Sequence, residues 1–406
     1  MISRRFVSKR GVSRFFAFIA IALTLLAGIH YYLWARLIRD PRWPPPWITV
    51  GGTLLSLLSA SIPLSLILGR GQGDLRRGFV WGGYVWLGVM FLLLVVVVSS
   101  DLLRLLAAIA RRVAAAHPLD PQRRDLLARL TAGATGILVS GLAAAAVRSV
   151  RKPVEVRRVS VRLDRLPRAQ DGFRIVQLTD IHVGPTIGRA FVEEIVARAN
   201  ALAPDLIAIT GDLVDGTVGQ LAAAIEPLAR LKAPRGVYFV TGNHEYFSGA
   251  EAWLNELNRL GIRVLRNERV PIGNGTVGFD LAGVDDRSAV HYGGLSPQEA
   301  LGRALQDRDP DRELVLLAHQ PRTLLDAEPF GIGLQLSGHT HGGQMWPFNF
   351  VVGLQQPFVA GLHRRGSSQI YVSRGTGYWG PPMRLGAPAE ITEIRLESGQ
   401  IAATLG

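Results

Sequence analysis

The hydrophobic rhythm of the chain changes near residue 150. Before that point apolar residues run in long blocks, and charged residues fall mainly in short clusters between them. Four stretches, 15–37, 47–68, 79–98 and 130–147, approach the roughly 20 mainly apolar residues that cross a bilayer as a helix. The fourth is rich in Ala and Gly and also fits a buried or interfacial helix; spanning is the preferred reading. The first follows a basic run, Arg4, Arg5, Lys9, Arg10 and Arg14, as a signal peptide would. Its apolar core exceeds the roughly 7–15 residues of a signal h-region, and no clean small-x-small cleavage site follows, so retained helices are expected. Residues 1–149 are therefore expected to form a helical transmembrane region.

From Val154 the pattern becomes that of a half-buried strand, with Val154, Val156, Val159, Val161 and Leu163 nearly alternating with charged residues. Short apolar runs then alternate with helix-like segments: 174–178 before 191–201, 206–209 before 221–231, and 237–240 before 252–260. Further runs lie at 314–318, 334–336 and 370–372. Strands alternating with helices imply an α/β domain over 150–406, long enough to bury a substantial core. Gly273, Asn274 and Gly275 mark the turn of a β-hairpin over 267–283. The Pro- and Gly-rich stretch 342–361 reads as a loop.

Charge refines this division. The net charge of +13 over 406 residues might point to nucleic acid, but the arginines flank the apolar blocks. They cluster at Arg70, Arg76 and Arg77; at Arg104, Arg111 and Arg112; at Arg123, Arg124 and Arg129; and at Arg148, Arg151, Lys152, Arg157 and Arg158. Juxtamembrane cations set topology and attract anionic headgroups, so a bilayer is the expected partner and nucleic acid is not. The chain has no cysteine, which excludes disulfides, thiolate metal sites and a Cys nucleophile.

Nearly every apolar run of the second region ends in polar residues. They read LTDIH at 178–182, TGDLVDG at 210–216, TGNHEY at 241–246, LAHQP at 317–321 and SGHTHGG at 337–343. Ligands bind at the carboxyl ends of strands in open α/β sheets, so the five clusters are expected to converge. Carboxylate, amide oxygen and imidazole suit Mn, Fe, Zn or Mg. In Asp180-x-His182 and His339-x-His341 the two-residue spacing would put both side chains on one face of an extended chain. Gly211, Gly242 and Gly338 precede Asp212, Asn243 and His339 and would permit sharp turns there.

In this order the five clusters resemble the calcineurin-like metallophosphoesterase superfamily, over about 154 to the C-terminus. The pairing of SGHTHGGQ with YVSRGTGYWGPPMR at 371–384 resembles its transmembrane and twin-arginine-exported bacterial phosphodiesterase branch. The resemblance implies a four-layer α-β-β-α sandwich preceded by about four transmembrane helices. It implies two divalent ions, one held by Asp180, His182 and His341 and a second by Asn243, His319 and His339, with Asp212 bridging. Such a pair clamps phosphoryl oxygens and yields a bridging hydroxide nucleophile. By the same resemblance His244 points at the phosphate, with Asp215 orienting it, and Arg374 and Arg384 are candidate phosphate contacts.

Taken singly, each of these residues has a bland role, such as an Asp capping the next helix; their co-occurrence at five strand ends is what capping does not explain. His30, His117, His291 and His363 are read as structural or solvent-facing. Trp346, Phe348, Phe350, Phe358, Tyr378 and Trp379 either line an apolar approach to the site or belong to the core, the core being preferred.

The expected function is a membrane-anchored phosphodiesterase acting on a phosphoester or pyrophosphate, with a phospholipid or a nucleotide-linked glycolipid of the UDP-diacylglucosamine kind as candidate substrates. A membrane sensor or transport protein, or a nucleotide or nucleic-acid phosphodiesterase, are the competing readings; few ionisable residues inside the spans, chiefly His30 and Arg36, weigh against the transporter. The expected location is the cell's inner membrane. Four spans with a basic N-terminus inside would place the domain in the cytoplasm, whereas Arg123-Arg124 resembles a twin-arginine export signal and would place it outside.

Overall fold

The computed structural model describes residues 9–69, 74–114, 120–274 and 277–399. His117, Gly275 and the basic positions Arg4, Arg5 and Arg70 lie outside them. The chain divides into two units, 1–145 and 146–406.

The first unit is helical: α1 (Lys9–Trp34), α2 (Pro45–Leu68), α3 (Asp74–Val113) and the greater part of α4 (Pro121–Val150). Among the described residues, four helices are long and apolar enough to cross a membrane, spanning Phe16–Arg39, Pro45–Leu68, Leu75–Val113 and Pro121–Val150. The third is longer than its expected block: 40 residues at 1.5 Å each reach about 60 Å, twice a hydrocarbon core. Arg104, Arg111 and Arg112 therefore stand on the last turns of α3, and Arg123, Arg124 and Arg129 on the first turns of α4. Trp86 Nε1 donates to His30 Nε2 at 3.1 Å, joining α3 to α1, which gives His30 a structural role. Asp101, an ionisable residue the sequence reading passed over, takes the Tyr32 hydroxyl at 2.6 Å and Arg36 Nε at 2.8 Å.

In the second unit β1 (Glu155–Leu163), β2 (Arg174–Leu178) and α5 (Arg189–Ala201) lead to β3 (Leu206–Ile209) and α6 (Val218–Ile225). Next come β4 (Val237–Phe239), α7 (Asn243–Ser248), α8 (Ala250–Arg259) and β5 (Arg263–Val264). The hairpin of β6 (Glu268–Asn274) and β7 (Val277–Gly283) follows, then α9 (Pro297–Ala304), β8 (Leu314–Leu317), α10 (Thr323–Ala327) and β9 (Leu334–Ser337). The chain continues through α11 (Phe348–Gln355), β10 (Gly361–Arg365), β11 (Ser368–Val372) and β12 (Glu390–Ser398).

Two six-stranded sheets result, ordered β1-β12-β2-β3-β4-β5 and β10-β11-β9-β8-β7-β6. Strand periodicity explains the layering. In β3, Leu206 and Ala208 enter the core that also holds Val315, Leu317, Leu334 and Leu336 of the other sheet. Ile207 and Ile209 instead pack against Val192 and Ile195 of α5 and Trp253 of α8. In β8, Leu314 and Leu316 face Ala300 and Leu301 of α9 while Val315 and Leu317 face inward. The four layers are helices, sheet, sheet, helices.

The expected loop at 342–361 contains α11. Pro347, Gly353 and Pro357 read as breakers, yet the residues between the two prolines suffice for two helical turns.

Candidate metal centre

The parallel strands β2, β3, β8 and β9 all end at one edge, and the polar residues after them meet there. Asp180 and His182 follow β2, Asp212 and Asp215 follow β3, Asn243 and His244 open α7 after β4, His319 follows β8, and His339 and His341 follow β9.

The backbone at this edge is unusual. Asp180, His182, Asp212, His339 and His341 all have φ between 50° and 71°, a left-handed region that side chains other than glycine rarely adopt. The Asp-x-His and His-x-His pairs therefore converge through left-handed kinks, not along an extended chain as the two-residue spacing suggested. Such strain persists only where the surroundings over-determine it, and it clusters at functional sites. Close approach, more than turning, explains two of the glycines. A Cβ on Gly338 would lie 2.0 Å from Asp180 Oδ2, and one on Gly242 2.2 Å from Asp212 Oδ1. Gly211 needs both, with φ of 89° and the Gly242 nitrogen 2.6 Å from where a Cβ would be.

Hydrogen bonds set which ring nitrogen faces the centre. His319 Nδ1 donates to the Thr210 carbonyl at 2.8 Å, and His182 Nδ1 donates to Asp215 Oδ1 at 3.1 Å. Both Nε2 atoms are thereby presented inward, the arrangement typical of ligating histidines. His182 Nε2 stands 3.1 Å from His341 Nε2, and His319 Nε2 3.1 Å from Asp212 Oδ2 but out of line for a hydrogen bond. Asp180 accepts the His339 N–H at 2.9 and 3.0 Å and the Thr179 hydroxyl at 2.7 Å.

Among the described residues, three sets bring one donor atom from each member within 4.8 Å of one another: Asp180, His182 and His341; His182, Asp212 and His244; and Asp212, His319 and His339. The residues fit a cation. Asn243 Oδ1 and His319 Nε2 are buried without hydrogen-bond partners, and such orphaned groups call for an occupant. Two imidazole nitrogens facing each other at 3.1 Å repel unless a proton or a cation lies with them.

Charge states agree. Burial, with neighbouring His319, pushes His339 down to about 3; burial, His182 and Arg384 hold His341 well below its ordinary value. Both are neutral donors at neutral pH. Burial opposes charge on His319, but the carboxylates of Asp212 and Asp180 outweigh it and hold its proton on. Burial likewise opposes charge on His244, yet its hydrogen bond to Asp215 and the Asp212 charge raise it to about 9. Asp215 is held well below the ordinary carboxylate range against the cost of burial, chiefly by His182 and His244.

Arg384 departs from its expected role. It is buried, and its guanidinium donates to the carbonyls of Gly377, Ala387 and Arg374 while Nη2 lies 3.2 Å from His341 Nδ1. It braces the ring of His341 rather than facing a phosphate. Arg374 pairs with Glu390 at 3.4 Å. Trp346, Phe348, Phe350 and Trp379 are exposed, which overturns the core reading for them; Phe358 and Tyr378 are half-buried. His291 is exposed, and His363 Nε2 bonds the Ala360 carbonyl.

Glu245 was missed. Fully buried, it accepts the backbone N–H groups of Asp212, Leu213 and Gly242 at 3.0, 2.8 and 2.6 Å, pinning the turn that carries Asp212. Burial and the Asp212 charge push its carboxyl up to about 7 against those bonds. Its signal was a charged residue inside TGNHEY, next to the candidate ligand Asn243.

Comparison with known proteins decides the family. A family model for the calcineurin-like phosphoesterases matches residues 173–343. A bovine (Bos taurus) transmembrane protein with metallophosphoesterase domain is 38% identical over 404 residues, covering 93% of this chain and 88% of that protein. The chain belongs to the calcineurin-like metallophosphoesterase family. The metallophosphoesterase YkuE of Bacillus subtilis is 32% identical over 255 residues, covering 60% of this chain and 86% of its own. Among solved structures, the phosphopantetheinyl hydrolase of Mycobacterium tuberculosis aligns with 53% of this metallophosphoesterase and 96% of its own chain, at 13% identity and a TM-score of 0.33. The long match to the bovine protein takes in the apolar helices as well as the phosphoesterase domain.

Proposed function

We propose that this metallophosphoesterase is a bilayer-anchored phosphodiesterase with a dinuclear centre. One divalent ion would be held by Asp180, His182 and His341, a second by Asn243, His319 and His339, with Asp212 between them. Bound there, the ions would neutralise the phosphoryl oxygens and acidify the attacking water.

The observation that carries this reading is the His244–Asp215 pair beside the ligand cluster. Asp215 takes Nδ1 at 2.6 Å, which leaves Nε2 free, 4.0 Å from Asp212 Oδ2. In the metal-free protein that ring is raised to about 9 and carries its proton at neutral pH. In hydrolysis a water that has lost one proton to solvent bonds to phosphorus, the ester P–O bond breaks, the leaving oxygen takes the proton from His244 Nε2, and the ring is reprotonated from solvent. Asp215 keeps the ring oriented throughout.

A diester is favoured over a monoester by what the arginines do. A monoester dianion calls for added cations at its non-bridging oxygens, and both candidates are engaged elsewhere, Arg374 with Glu390 and Arg384 with backbone carbonyls. A singly charged diester needs less. The exposed rings of Phe247 and Trp379, centred 5.3 and 5.7 Å from the His244 ring, offer an apolar rest for its second ester arm, which suits a membrane-associated substrate. Rates on aryl phosphodiester and phosphomonoester analogues with added Mn²⁺ test the assignment. The diester is expected to be hydrolysed the faster; a strong monoester preference contradicts it.

A further inference from the structure

We propose that α11, with Trp346 and Trp379, is an interfacial docking surface that seats the metal centre on the lipid bilayer. This does not rest on the phosphodiester reading.

None of the α11 residues is buried. Leu354 is 84% exposed and Phe350 66%, with Phe348 and Val351 also open to solvent. Scattered apolar side chains at a surface need no explanation, but one short helix that leaves four of them open to solvent, two residues after an exposed Trp346, concentrates apolar surface in the way that marks an interaction site. Charge is absent from it: between Glu328 and Arg364 the sequence holds no Asp, Glu, Lys or Arg.

The occupant is identified by chemistry and by tether. Tryptophan favours the headgroup level of a membrane, and an uncharged helix whose apolar side chains face solvent removes apolar area from water by lying against that level. Exposed Arg364 follows on β10 and adds a cation that anionic headgroups attract, while Arg365 pairs with Glu328 at 2.7 Å. The chain supplies the bilayer itself, because its fourth membrane-competent helix ends at Val150 and β1 begins at Glu155.

The patch is bolted to the chemistry. A Cβ on Gly343, two residues after His341, would lie 2.4 Å from the Asn349 Cα, so the ligand loop and the start of α11 are packed backbone to backbone. Gln344 donates to the Trp379 carbonyl at 2.8 Å and accepts the Trp379 N–H at 2.9 Å, tying the second tryptophan to the same loop. A bilayer under α11 therefore holds the loop that carries His341 at its surface.

The absence of native cysteine makes the test clean. The full chain carrying Leu354→Cys with an environment-sensitive fluorophore is reconstituted in phosphatidylcholine and phosphatidylglycerol vesicles, beside a control label at exposed Arg259→Cys on α8. The Leu354 label is expected to shift to the blue and to be quenched several-fold more by lipid spin-labelled near the headgroup than the control is. Phe350→Glu in the same labelled chain should restore access to aqueous iodide with the melting transition unchanged. The proposal is overturned if both labels meet iodide equally. It is also overturned if the Leu354 label ignores spin-labelled lipid while Leu354→Cys chains cross-link, since a second copy would then cover the patch. The Asp212→Asn variant should dock as the parent does, so failure of the catalytic reading and failure of docking are read separately.

Discussion

Asp215 Oδ1 sits 2.6 Å from His244 Nδ1 and 3.1 Å from His182 Nδ1, so one carboxylate oxygen orients both the proposed proton donor and a proposed metal ligand. Removing the donor alone is the simpler change. His244→Gln is expected to lower kcat by about 10²- to 10⁴-fold, the range for a positioned acid, with metal content unchanged. Asp215→Asn should lower kcat and also weaken metal retention, because His182 loses its brace. Steady-state kinetics and elemental analysis of the two variants separate these effects.

The pH profile follows from the same pair. His244 must carry its proton to donate it, so activity is expected to decline as pH rises through the pKa of that ring. The metal-free value of about 9 is an upper limit, since bound cations offset the Asp212 charge that helps raise it. The alkaline limb should vanish in His244→Gln. For metal-free protein the sign for stability is the same. A raised histidine contributes stability fully below its unfolded value of about 6.5 and loses it as pH rises through the folded one. Asp215, held low, contributes stability at neutral pH that is lost on acidification. Melting temperature against pH should therefore fall on both sides.

Metal uptake should release protons. His319 holds its proton in the metal-free protein because Asp212 and Asp180 outweigh burial, and a cation at Nε2 must displace it. Calorimetric titration with Mn²⁺ at pH 7 in buffers of different ionisation enthalpy is expected to give heats that change with buffer. Heats independent of buffer contradict the assignment of His319 as a ligand.

Two packing residues give structural tests. Gly338→Ala would place a methyl 2.0 Å from Asp180 Oδ2, so metal content and activity should fall together. Glu245→Ala would leave three buried backbone N–H groups without acceptors, at roughly 1–3 kcal/mol each, a total on the order of 3 kcal/mol or more. Glu245→Gln should be milder. Denaturation of the catalytic domain in the full-length protein measures both.

Much of the candidate site was legible because metal-donor residues at strand ends leave a local signature. Asp180, His182, Asp212, His319, His339 and His341 each stand in a short polar cluster after an apolar run, and topology brings those runs to one edge. How the candidate ligands converge was not legible: a two-residue spacing describes an extended chain equally well, and only the backbone reveals left-handed residues at five of them. Arg384 misled for a related reason. Its sequence neighbourhood shows a cation near the site, whereas its direction depends on the Gly377 and Ala387 carbonyls, which only the fold brings around it. Outside the site, the aromatic run after His341 was ambiguous between core and surface, because composition is the same in both.

The dinuclear centre itself is best tested by counting ions per chain while following hydrolysis of a soluble aryl phosphodiester. Purified full-length protein is expected to retain two equivalents of divalent metal, and Asp212→Asn, which alters the proposed shared ligand, should lose metal and activity together. Full activity with no bound metal, or an Asp212→Asn variant as active as the parent, would contradict the account.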